Sequence, residues 1–184
     1  MTDTAIVGEN VEIIQTKGAR SAFSWSVVIA GALAAWAVAF IFISLGSGIG
    51  LAIASPYSGP STQTMTVAGA MWLILSQTIA YAVAGYLAAR LRIRDHIPGP
   101  ETKFRDAAHG FMAWVVGVGI LAAVIFISTL LSSHVGANPP AGDAAEAARK
   151  AAAYASFWSF MALLFGAVAA TLAGILGGEL RDEI

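Results

Sequence analysis

The residues of this chain best able to do chemistry cluster in Phe104-Arg-Asp-Ala-Ala-His-Gly110. On a helix, Asp106 and His109 stand at i,i+3 and Arg105 and His109 at i,i+4, so all three can share a face. A carboxylate, an imidazole and a guanidinium together could grip a metal ion, a quinone head group or a lipid phosphate. Each also has a simpler use. Asp106 is expected to cap the start of a helix, where the dipole favours an anion, and Arg105 to snorkel toward a membrane surface. A metal needs more ligands than one His and one Asp, and only His96 and Glu101 are near in sequence. We therefore expect no enzyme here: no catalytic residue, no metal site and no cofactor is assigned.

Gln77, flanked by Ser76 and Thr78, is the other polar group that stands out. It lies deep in an apolar stretch, where an unpaired amide costs several kcal/mol. Either it contacts a solute or ion, or it bonds across helices to Ser44, Ser128 or Ser159, which is the expected use. No Asp, Glu, Lys or Arg lies well inside any apolar stretch. Proton-coupled transport normally relies on such groups, so that class is disfavoured, and no deep histidine supports buried haem. The chain has no cysteine, which removes disulfides and thiolate chemistry. Gly46-Ser-Gly-Ile-Gly50 has no strand before it, so a phosphate-binding loop does not fit.

The elements that position these residues are four apolar stretches, roughly 23–54, 66–89, 107–131 and 151–178. Each exceeds the ~20 residues that a helix needs to cross a bilayer. Only 11% of the residues are charged, against about 25% in globular domains. The expected fold is all-α, a bundle of four transmembrane helices at about 23–54, 66–92, 105–132 and 143–180, after a cytoplasmic tail, 1–22. The first stretch follows Asp3, Glu9 and Glu12 and is too long for a cleaved signal, so we expect it to be retained.

Topology follows the basic residues. Lys17, Arg20, Arg90, Arg92, Arg94, Lys103, Arg105 and Arg181 fall on one side, and only Arg149 and Lys150 on the other. Eight against two places both termini in the cytoplasm. The rim of Arg90, Arg92, Arg94, Lys103 and Arg105, with Asp106 and His109 beside it, is also the expected contact for anionic lipid head groups, cardiolipin among them. A net charge of −1 leaves no footprint for nucleic acid. Trp25 and Trp114 suit one interfacial belt and Trp72 and Trp158 the other, while Trp36 sits too deep and is expected to face lipid.

Small residues recur every fourth position: Gly46 and Gly50 in the first helix, Ala80, Ala84 and Ala88 in the second, and Gly166, Ala170, Gly174 and Gly178 in the fourth. Such ladders let backbones approach closely in lipid. They serve either seams within the bundle or an interface with partner subunits or further copies of the chain, and not all are expected to be internal. Two segments repeat weakly. Ile41-Phe-Ile-Ser44 matches Ile125-Phe-Ile-Ser128, and Gly85-Tyr-Leu-Ala-Ala-Arg-Leu-Arg92 matches Gly174-Ile-Leu-Gly-Gly-Glu-Leu-Arg181. Two tandem helical hairpins are one explanation.

Trp25-Ser-Val-Val-Ile-Ala-Gly-Ala-Leu-Ala34, Leu45-Gly-Ser-Gly-Ile-Gly-Leu51 and Phe104–Gly110 together resemble a group of small four-helix inner-membrane proteins of proteobacteria, some labelled PhnA-like. The resemblance covers the first three helices and implies a bacterial inner-membrane location without an assigned activity. The expected function is that of an accessory or scaffolding subunit in a respiratory, photosynthetic or transport complex. A homo-oligomeric channel or facilitator with a polar path near Gln77 is the alternative.

Overall fold

A computed structural model describes residues 23–53, 62–93, 99–134 and 141–183. These form four helices: α1 (Trp25–Ile53), α2 (Thr62–Arg90), α3 (Gly99–His134) and α4 (Asp143–Asp182). Each is long and apolar enough to span a membrane. Large apolar side chains such as Phe40, Leu51, Phe126 and Leu131 stand exposed. Water would not tolerate so much apolar surface, whereas hydrocarbon matches it.

Two helices begin earlier than hydropathy indicates: α2 at Thr62 rather than 66, and α3 at Gly99 rather than 105. Hydropathy marks the edge of the hydrocarbon, while backbone hydrogen bonding continues past it. Pro100 sits in the first turn of α3, where its missing N–H would have had no partner anyway. Glu101 in that turn pairs with Arg105 at 2.8 Å.

Neighbouring residues define the topology. Gly31 of α1 lies against Ala84 and Ala88 of α2, and Gly46 against Trp72, so α1 and α2 run antiparallel. Along α2 and α4 the pairs Tyr81–Gly166, Gly85–Ala170 and Tyr86–Gly177 advance together, so these two are parallel. Along α3 and α4, Asp106 meets Gly178 and Gly110 meets Ala170, so these are antiparallel. The helices alternate up and down. One end, the base, holds the start of α1, the end of α2, the start of α3 and the end of α4.

Helix α2 packs on all three others, whereas α1 and α4 do not touch among the described residues. Two equivalent hairpins related by a twofold axis would make the α1–α4 contact mirror the α2–α3 contact. The first is missing and the second present, so the described bundle lacks that symmetry. The buried core is small-residue packing near the base, centred on Val28, Ala35, Ala80, Tyr81, Ala84, Ala88, Ala113 and Ala170. Away from the base the bundle opens: α3 is exposed all round from 122 to 132, and α4 is almost fully exposed from 143 to 160.

Candidate functional site

The polar centre of the molecule lies at the base, and its members come from three helices. Asp106 is two turns inside α3 and only 2% exposed. It is therefore not the helix cap expected from the sequence, because the Gly-Pro start moved the helix N-terminus away from it. Its Oδ1 accepts from Arg92 Nε at 3.0 Å and from Arg181 Nη1 at 3.1 Å, and its Oδ2 accepts from Arg181 Nη2 at 3.1 Å. Arg181 also donates through Nη1 to the Ala89 carbonyl at 2.9 Å, and to the Asp182 carboxylate through Nε at 2.9 Å and Nη2 at 3.2 Å. All five guanidinium N–H groups are thus committed. Two guanidiniums face two carboxylates, which lets this cluster sit buried without a net charge.

Arg92 and Arg181 occupy matching positions in the weak repeat, the last residue of each eight-residue segment. Both point at one carboxylate. The arginine rim expected at the membrane surface is accordingly smaller than the sequence implied. Arg92 is buried in the cluster, Lys103 pairs with Glu179 at 2.7 Å and Arg105 with Glu101. Arg90 is partly buried, with an Nη1 that meets no acceptor among the described residues. Arg94 and His96 lie outside the described residues, as does the 1–22 tail with Lys17 and Arg20.

His109 does not join Arg105 and Asp106 in one reactive face. It is 1% exposed and ties α1 to α3. Its Nε2 lies 3.1 Å from the backbone nitrogen of Ser24, and its Nδ1 lies 2.7 Å from the Arg105 carbonyl. A backbone N–H can only donate, so Nε2 accepts and the ring proton sits on Nδ1, donating to Arg105. Phe23 stacks on the ring with centroids 4.5 Å apart. The imidazole is neutral and fully used in this arrangement, which leaves it no lone pair for a metal.

The ladders on α2 and α4 are internal. Ala80, Ala84 and Ala88 are completely buried. Gly166 lies under the Tyr81 ring, Ala170 against Gly85 and Gly110, Gly174 against the Asp106 backbone, and Gly178 against the Asp106 carboxylate. Gly46 is covered by the Trp72 indole, but a methyl at Gly50 would meet nothing within 4 Å. Gly50 therefore makes no seam inside this chain.

Gln77 also departs from expectation. Ser44, Ser128 and Ser159 are exposed, and Ser128 donates to its own helix at the Val124 carbonyl, 2.8 Å away. Ser76 and Thr78 likewise bond back to Trp72 and Ile74, a use of hydroxyls that keeps them satisfied in lipid. None of the three distant serines reaches Gln77, so the structure assembles no common polar path. Gln77 instead lines a cavity of about 110 Å³ between α1, α2 and α3. Trp36, expected to face lipid, stands in its wall and donates from Nε1 to the Gly117 carbonyl at 3.2 Å. The sequence gave no hint of this cavity, since its residues come from three separate helices.

Comparison with protein-family models, with curated proteins and with solved structures finds no match to this chain.

Proposed function

We propose that this chain is a non-enzymatic accessory subunit of a larger bacterial inner-membrane complex, with both termini in the cytoplasm. The orientation rests on the eight-to-two split of basic residues. The observation that carries the reading is the contrast between the two halves of the bundle. Near the base, the α2 and α4 ladders are consumed by internal packing. Farther out, α3 and α4 stand without neighbours and present other small residues: Gly119 and Ala123 on α3, and Ala151, Ala155 and Ser159 on α4, all exposed. Lipid supplies no hydrophobic drive for helix association, so exposed small residues are where foreign helices can pack closely. The rows expected to recruit a partner are thus replaced by ones the ladders did not include.

A homo-oligomeric channel fits less well, because Ser44, Ser128 and Ser159 do not gather with Gln77. Extraction from native membranes in a mild detergent, followed by particle mass and composition, separates the two. Co-migration with other membrane subunits is the expected result. A homogeneous homo-oligomer would favour the channel, and a bare monomer would overturn both.

A further inference from the structure

We infer that the cavity between α1, α2 and α3 is a binding site for a neutral, membrane-soluble molecule carrying one oxygen-bearing six-membered ring, as in a quinone or quinol head group. Depth comes first. Gln77 lies 13 residues before the end of α2 and Trp36 lies 11 after the start of α1, about 20 Å and about 17 Å along their helices. Both are near the middle of the span, where only lipophilic molecules arrive. The mouth opens sideways past Phe40, which is 73% exposed. A ligand can therefore enter from the bilayer and leave its tail there.

The lining sets the chemistry. Gln77 and Tyr81 stand at i,i+4 on α2 and both border the cavity. Tyr81 is 4% exposed, clamped between Gly117 and Gly166, and neither its hydroxyl nor the Gln77 amide bonds to any described residue. A buried phenol and amide normally have partners. Here the cavity offers room for one, at the spot both side chains reach. The phenol O–H and the amide N–H can donate to a ring carbonyl, and the amide oxygen can accept from a ring hydroxyl. Trp36, held by its bond to Gly117, and Phe40 supply flat walls for a planar ring. No charged side chain among the described residues lines the cavity, so an ion would find no counter-charge. Size closes the choice: an engineered cavity of about 150 Å³ holds benzene, so about 110 Å³ open at one side admits a single ring and no larger cofactor.

The full chain in phosphatidylethanolamine–phosphatidylglycerol liposomes, titrated with decylubiquinone, tests the site through tryptophan fluorescence. We expect a saturable quenching component that disappears in Trp36→Phe. Gln77→Leu and Tyr81→Phe, which each keep an apolar side chain of similar bulk, should each raise the half-saturating concentration about tenfold, the loss of one hydrogen bond in a dry site. Reduced decylubiquinol in the same assay distinguishes a carbonyl ligand, weakened mainly by Tyr81→Phe, from a hydroxyl ligand, weakened mainly by Gln77→Leu. Decanol, with a tail but no ring, should not compete on the unmodified protein. Quenching that never saturates, saturation unchanged in both polar variants, or equal competition by decanol would each overturn the proposal.

Discussion

Asp106 is the residue on which three helices converge, and its pairing determines what substitutions there do. Two guanidiniums aimed at one buried carboxylate lose their counter-charge together when it is removed. Asp106→Ala should destabilise the protein by about 3 kcal/mol, the lower end for breaking a buried ion pair, measured by thermal unfolding in detergent. A change within error would mean that the arginines are solvated instead. Arg181→Lys should also destabilise, because a lysine has three donors where Arg181 uses five. At His109 the change to Phe keeps the stacking on Phe23 but loses the acceptor for Ser24. We expect a cost of about 1 kcal/mol, with faster amide exchange at Ser24 as the readout. An unchanged Ser24 exchange rate would contradict the tie between α1 and α3.

Glycines acquire different meanings at the scale of the helix. A methyl at Gly85 would overlap the Ala170 carbonyl on α4, a backbone atom that cannot rotate away. Gly85→Ala should push α2 and α4 apart and cost about 1–3 kcal/mol, seen as a lower unfolding temperature. A methyl at Gly119 meets nothing within 4 Å. Gly119→Leu should leave the unfolding of the isolated chain unchanged yet reduce the yield of the native complex; equal effects of the two substitutions would contradict the division of labour. The four helices were legible in the sequence because lipid demands long uninterrupted apolar runs. Their ends were less so, since the polar turns at Thr62 and Gly99–Glu101 are helical outside the hydrocarbon. Periodicity found the ladders but could not say which neighbour each would meet. Arg92 and Arg181 had one visible signal, their equivalence in the repeat, and only the fold brings both to Asp106. Gln77 and Trp36 were noticed as oddities, yet the cavity they share with Tyr81 depends on how α1, α2 and α3 cross.

At the scale of the whole molecule, the bundle divides into a base locked by ions and small residues and a far half in which α3 and α4 stand apart. In lipid such exposure is permitted by itself, so what covers those helices decides the account. A photo-reactive residue placed at Phe126 on α3, at Phe157 on α4 and, as a control, at Leu33 on α1 probes this in native membranes; all three side chains are exposed. Irradiation should join positions 126 and 157 to other membrane proteins and leave position 33 joined to lipid. Adducts to lipid alone from all three positions would contradict the accessory-subunit account.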